Sequence, residues 1–136
     1  MDIARMKAEL RRDEGERLKP YRDTVGKLTI GVGRNLDDVG ITAAEADVLL
    51  ETDIAAAAAG LDRALPWWRG LSEVRRRALL NMAFNLGVPR LLGFSEMCAA
   101  LARGDFAQAA DAALDSLWAR QVGARAGRIA RMIREG

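Results

Sequence analysis

The sequence predicts an α+β fold that is mostly helical, in which a long helix joins a small β-hairpin lobe to a helical lobe. Three observations support this class. Apolar residues recur at helical spacing through most of the 136 residues. One stretch near the N-terminus, residues 18–33, changes to the two-residue period of a strand. A capping box at Thr42 opens an alanine-rich segment that runs as far as Pro66.

The N-terminal segment is predicted to be a helix followed by a twisted hairpin. Asp2 is a suitable N-cap, and Gly15 is expected to end the helix. After it, Leu28 and Ile30 alternate with small or polar residues, as in a half-buried strand. Residues 25–27 contain a glycine and supply the turn of the hairpin.

The rest of the chain is predicted to be helical, and each helix is bounded by capping residues or glycines. The expected helices cover residues 42–65, 72–87, 95–103, 105–113, 116–121 and 124–134. The chain then forms one domain, with a hairpin lobe at about 16–41, a connecting helix at about 42–65 and a helical lobe from 1–15 and 65–136. We expect Trp118 in the core. Trp67 and Trp68 are expected to pack at a helix junction, with sugar stacking as the alternative.

The composition excludes several kinds of chemistry. The chain has no histidine, which removes Ser/His and Cys/His catalysis and disfavours a zinc site. Its single cysteine, Cys98, rules out an intramolecular disulfide. Any acid–base chemistry therefore falls to carboxylates, lysines, the tyrosine or the lone thiol of Cys98.

Charge and hydropathy bear on partners and location. The net charge is only +2, but arginines are concentrated in the C-terminal half, which suits an acidic polymer such as peptidoglycan or nucleic acid. No apolar run approaches the length of a membrane span, and the charged N-terminus lacks the apolar region of a signal peptide. We therefore expect synthesis in the cytoplasm and no stable membrane insertion.

Two carboxylates and a hydroxyl near the N-terminus form the candidate catalytic set. Hydrolysis of a glycosidic bond needs a carboxylic acid at the leaving oxygen and a second carboxylate for the attacking water. Glu14, at the end of the first helix, suits the acid, and Asp23 on the hairpin suits the second group. Thr29 could hold a water beside Asp23. The alternative is that Glu14 is simply solvated, as acidic residues near helix ends usually are.

The wider pattern decides between these readings. The spacing Glu-x8-Asp-x5-Thr is followed by Ile-Gly-Val-Gly at residues 30–33 and, further on, by Asn-Met-Ala-Phe-Asn at residues 81–85. Trp118 and Arg125 come later in the same order. Over nearly its whole length the chain resembles the T4-type phage lysozymes, glycoside hydrolase family 24.

The resemblance implies roles for particular residues. Glu14 matches the general acid, and Asp23 with Thr29 matches the pair that activates water, which gives inversion at the anomeric carbon. Arg125 falls where the family has an arginine that pairs with the catalytic glutamate. The resemblance also implies substrate-binding residues, namely Gly33, Asn35, Phe84 and Asn85.

The chain also departs from the family pattern. Arg34 stands where a histidine is common, and we expect it to form an ion pair with Asp53 that supports the site. The link from the hairpin to the long helix is short, where larger relatives insert a helix. Two cleft positions that are polar in larger relatives align with Met97 and Ala112.

The leading hypothesis is an endolysin, an N-acetylmuramidase that cleaves peptidoglycan in the periplasm during host lysis. The resemblance implies no cofactor and no metal, a monomer, and dependence on a holin-type pore for export. A lytic enzyme that forms an anhydro sugar without water is a second reading, although such enzymes generally lack the second carboxylate. A nucleic-acid-binding helical module is a third reading, but such a module has no need of the hairpin with Asp23 and Thr29.

Overall fold

The computed structural model describes residues 1–136 and contains eight α-helices and a three-stranded sheet. The mostly helical α+β class is therefore confirmed. The helices are α1 (Ile3–Glu14), α2 (Ala43–Ala64), α3 (Glu73–Leu86), α4 (Val88–Leu91), α5 (Ser95–Arg103), α6 (Phe106–Leu114), α7 (Leu117–Val122) and α8 (Ala124–Glu135). The strands are β1 (Arg17–Arg22), β2 (Leu28–Gly31) and β3 (Arg34–Asn35), and a 3₁₀ turn covers Trp68–Gly70.

The chain divides into two compact units, Met1–Val48 and Leu49–Gly136, and the division falls within α2. The first unit contains α1, the sheet and residues 43–48 at the start of α2. The second contains the rest of α2 and all the later helices. None of the helices combines the length and apolar character needed to cross a bilayer.

Within the first unit, local sequence signals set the ends of α1 and the turns of the sheet. The Asp2 carboxylate accepts a hydrogen bond from the Arg5 amide at 3.0 Å, as an N-cap does. Gly15 ends the helix with φ at +77°, a value that favours glycine. The sheet is antiparallel in the order β1-β2-β3, and the two-residue strand β3 was not predicted.

The predicted capping box at the start of α2 is confirmed. The Glu45 amide donates to the Thr42 hydroxyl at 3.1 Å, and the Thr42 amide donates to the Glu45 carboxylate at 2.9 Å. Residues 36–42 form turns and irregular chain without a helix, so the link from the sheet to α2 is as short as predicted.

The second unit carries the hydrophobic core. The predicted caps of α3 and α6 are confirmed, because Ser72 and Asp105 each accept a hydrogen bond from an amide three residues later. Ser116 caps α7 in the same way. The helix α4 and the 3₁₀ turn were not predicted. The largest fully buried side chains of the core are Leu61, Leu79, Met82, Leu91, Met97, Ile129 and Ile133.

The three tryptophans of this unit serve packing. Trp118 and Trp68 are buried, as expected, and Trp67 is half-buried against the core. The Trp68 indole N–H donates to the Asp62 carboxylate at 2.7 Å, and the Arg69 guanidinium lies 4.7 Å from the ring centre. Trp68 therefore packs at the junction between α2 and α3, as predicted from the sequence.

Candidate active site

Glu14 is the last residue of α1, and its exposed carboxyl group lies against the turn between β2 and β3. The closest approach is at Gly33. A Cβ atom built on Gly33 would lie 2.9 Å from Glu14 Oε2 and 3.3 Å from its Cδ. Gly33 also has φ at +67°, so glycine is favoured both by its backbone conformation and by the space that the carboxyl occupies.

Asp23 and Thr29 are joined through the backbone of Lys27. Asp23 Oδ1 accepts hydrogen bonds from the amides of Lys27 at 2.8 Å and Val25 at 3.0 Å. The Lys27 carbonyl in turn accepts from the Asp23 amide at 2.9 Å and from the Thr29 hydroxyl at 2.9 Å. The backbone amide and carbonyl of this one residue thus fix both candidate side chains, and Asp23 Oδ2 takes no part in these contacts.

Thr29 lies on the central strand and is only 3% exposed. It faces Tyr21 on β1 and Asn35 on β3 in the register of the sheet. The alternation that predicted this strand is present, but its threonine is the buried residue, while Leu28 and Ile30 are half-buried. Because the Thr29 hydroxyl donates its hydrogen to Lys27, its oxygen lone pairs remain able to accept a hydrogen bond.

Asn35, predicted to bind substrate, has a structural role in the turn that follows β3. Its side-chain oxygen accepts from the Asp38 amide at 3.0 Å, and its side-chain nitrogen donates to the Asp38 carboxylate at 3.0 Å. Its carbonyl accepts from the amides of Val39 and Gly40. The amide group of Asn35 therefore stabilises the link to α2, and its role toward substrate stays a prediction.

The predicted ion pair between Arg34 and Asp53 is wrong, because Arg34 pairs with Glu45. The two terminal nitrogens of the guanidinium donate to the two Glu45 carboxylate oxygens at 3.0 and 2.9 Å, and one also donates to the Gly40 carbonyl at 3.0 Å. The physical reason lies in the capping box. It folds the Glu45 carboxylate back to the start of α2, where the planar guanidinium meets it in bidentate geometry.

The Arg34–Glu45 pair predicts a pH dependence of stability. Hydrogen bonds from Arg34, and then those from Thr42, lower the pKa of Glu45 from 4.5 to about 2. A lowered pKa means that the stabilisation is complete above pH 4.5 and is lost as the pH falls toward about 2. We expect Glu45→Gln to lower the melting temperature by a constant amount above that range and by progressively less below it.

The measurement is thermal unfolding of both proteins from neutral to acidic pH, with Glu51→Gln as the control. Glu51 is an exposed glutamate on the same helix. The control variant should lack the pH-dependent difference. A Glu45→Gln difference that stays constant down to about pH 2 would contradict the assignment of the lowered pKa to this pair.

The remaining predicted residues lie in the second unit. Arg125 donates from Nε to the Asn81 side-chain oxygen at 2.9 Å, and its pairing with Glu14 stays a prediction. Phe84 is 45% exposed and, with Asp53, lines a groove of about 440 Å³ between α2 and the α3–α4 corner. Gly60 lies at this groove, where a Cβ atom would come within 2.8 Å of Val88.

Asn85 is linked to a second cavity of the same unit. Its side-chain oxygen accepts from the Trp118 indole N–H at 2.9 Å. Trp118 lines a cavity of about 490 Å³, and Met97 and Ala112, which align with polar cleft positions, line it too. Polar side chains around this cavity are Arg90, Ser95, Glu96, Asp115, Ser116 and Gln121.

Two groups that hold site residues in place, the Lys27 backbone and the Glu45 carboxylate, were not predicted from the sequence in that role. The Lys27 backbone was not singled out, although an aspartate that begins a glycine-containing turn often accepts hydrogen bonds from amides two to four residues later. Glu45 was recognised as a helix cap, but its second role as the partner of Arg34 has no signal in the local sequence.

The fold and the site together define a lysozyme-like α+β protein, with a glutamate at the end of the first helix, an aspartate in the first turn of a small sheet and a threonine on its central strand. The family model described as phage lysozyme matches residues 11–134. The chain belongs to the phage lysozyme family, a family of lysozyme-like peptidoglycan hydrolases.

Individual relatives agree with this membership. The whole chain aligns with the pre-baseplate central spike protein Gp5 of Enterobacteria phage T4 at 35% sequence identity. The alignment covers 28% of Gp5, so the chain spans little more than a quarter of that relative's length. It is 28% identical, over 98% of the chain and 96% of the relative, to probable T4-type lysozyme 1 of Dictyostelium discoideum. This second alignment runs over 163 positions, more than the 136 residues of the chain, which agrees with insertions in larger relatives.

Proposed function

We propose that this protein is an N-acetylmuramidase that hydrolyses the β-1,4 bond between N-acetylmuramic acid and N-acetylglucosamine in peptidoglycan. Membership of the phage lysozyme family supports the reaction class. The observation that carries the proposal is the backbone of Lys27, whose amide binds Asp23 and whose carbonyl binds Thr29, so that the two side chains are held together at the β1–β2 turn. Glu14 lies in the same compact unit, at the end of α1.

The mechanism assigns one proton transfer to each carboxyl group. Glu14 donates its proton to the glycosidic oxygen as that oxygen leaves the anomeric carbon. Asp23 Oδ2 takes a proton from the attacking water, while Oδ1 stays bound to the amides of the turn. Thr29 Oγ1 accepts the second hydrogen of that water, because its own hydrogen is donated to Lys27. The water oxygen then forms the new bond from the opposite face, and the configuration inverts.

Product analysis tests this mechanism against the reaction that forms an anhydro sugar. In water labelled with heavy oxygen, a hydrolase gives reducing ends that carry the label, and inversion of a β bond gives the α anomer first. We expect both results for the wild type, with Asp23→Asn losing roughly 100-fold or more of the rate because no base remains for the water. Unlabelled anhydro products, or an unchanged rate in Asp23→Asn, would contradict the hydrolytic mechanism.

In its biological role we propose an endolysin, which is made in the host cytoplasm, reaches the periplasm through a holin-type pore and acts there as a monomer. The two Dictyostelium relatives, each covered over 96% of its length, support a free-standing lysozyme. The similarity to the phage T4 spike protein favours a second role, as the lysozyme part of a phage particle. Mass spectrometry of purified particles and of the cleared lysate separates the two roles, since an endolysin is found in the lysate alone.

A further inference from the structure

We propose that Gly33 is a positioning residue for Glu14, and that the turn between β2 and β3 sets where the acid carboxyl can lie. The inference rests on the proposed function, because it matters only if Glu14 is the acid. It assigns to this glycine a contact with a side chain of the protein itself, in addition to any contact with substrate.

The contact is specific to one of two neighbouring glycines. Gly31 and Gly33 have nearly identical φ angles, +68° and +67°. A Cβ atom on Gly31 would meet nothing within 4 Å, whereas one on Gly33 would lie 2.9 Å from Glu14 Oε2. The two positions therefore share the positive φ that favours glycine, and only Gly33 borders the carboxyl of Glu14.

The backbone at Gly33 is held in place by the strands on either side. Ile30 pairs with Arg34 across the turn, and Arg34 is bound by the Glu45 carboxylate and the Gly40 carbonyl. The turn is therefore anchored to the start of α2. A methyl group added at Gly33 would displace the carboxyl of Glu14, which is the free end of an exposed side chain, and would leave the turn in place.

The difference between Gly33 and Gly31 should affect catalysis more than stability. Moving the end of an exposed glutamate costs little folding energy, so both alanine variants should lose stability mainly through the positive φ. Moving the carboxyl of a general acid by about 1 Å can cost about 100-fold in rate, because proton transfer depends on its alignment with the leaving oxygen. We therefore expect Gly33→Ala to lose far more catalytic rate than Gly31→Ala, with a similar loss of stability.

The experiment compares Gly33→Ala with Gly31→Ala as its matched control. We expect similar falls in melting temperature for both variants. On soluble peptidoglycan fragments, kcat should fall about 100-fold in Gly33→Ala with KM unchanged, and by no more than about threefold in Gly31→Ala. The carboxyl carbon NMR resonance of Glu14 should move in Gly33→Ala alone.

Each alternative result overturns a defined part of the inference. Equal losses of kcat in the two variants would show that only the backbone angle matters. A higher KM with kcat unchanged would make Gly33 a substrate contact. A much larger fall in melting temperature for Gly33→Ala would show that the carboxyl cannot yield. If the wild type fails to cleave peptidoglycan, the proposed function fails, while the NMR comparison still decides whether Gly33 sets the position of Glu14.

Discussion

Glu14→Gln is expected to abolish clearing of Gram-negative cells whose outer membrane has been permeabilised, while the variant remains folded. Glutamine has nearly the same shape as glutamate and cannot donate a proton as a carboxylic acid does. General acid catalysis typically contributes about 100- to 10,000-fold to a rate, so we expect a loss in that range. The measurement is the initial rate of turbidity decrease, at matched protein concentrations, with circular dichroism to establish the fold.

The control for this prediction is Glu16→Gln. Glu16 is an exposed carboxylate two residues further along the chain, and it lies within reach of the Arg11 guanidinium, with 3.5 Å between Nε and Oε1. The salt bridge is exposed and contributes little to stability, so the variant should clear cells at nearly the wild-type rate. Equal clearing by wild type and Glu14→Gln would place the acid elsewhere, or would show that lysis comes from membrane damage by basic residues.

The features that the sequence predicted correctly are those that depend on a few neighbouring residues. A capping residue needs only its own helix, so Asp2, Ser72 and Asp105 could be read directly. The hairpin followed from alternation and a glycine-containing turn. The strand β3 was not predicted because two residues are too few to show a periodicity. The helix α4 was not predicted because four residues do not complete a helical pattern.

The wrong partner was predicted for Arg34 because its side chain has more than one acidic residue to choose from. The family resemblance led to the prediction that Arg34 forms an ion pair with Asp53. The capping box, however, holds the Glu45 carboxylate at the start of α2, where Arg34 binds it. The capping box of α2 was enough to predict the position of Glu45. The position of Arg34 depends instead on how the sheet packs against the start of α2. Asn35 also has two possible partners, because its residue type fits a sugar contact as well as the turn that it stabilises, and its role toward substrate stays a prediction.

Trp118→Ala is expected to be among the most destabilising single substitutions in the second unit. Trp118 is 4% exposed, its ring meets Phe94 edge to face at 6.1 Å between centroids, and its N–H is bound to Asn85. Truncation of a buried tryptophan costs roughly 3–5 kcal/mol, because the apolar surface is lost and a void remains. Urea unfolding followed by far-ultraviolet circular dichroism measures this without relying on tryptophan fluorescence.

Two further variants separate ring packing from the hydrogen bond of Trp118. Trp118→Phe keeps an aromatic ring beside Phe94 and removes the donor, so it should cost clearly less than Trp118→Ala. Asn85→Ala keeps the ring and leaves a buried N–H without its partner, which costs about 1–3 kcal/mol. If Trp118→Ala and Trp118→Phe are equally destabilised, the hydrogen bond to Asn85 is the main contribution. If all three variants unfold like the wild type, Trp118 does not anchor the core, and the cavity that it lines is free to collapse without cost to stability.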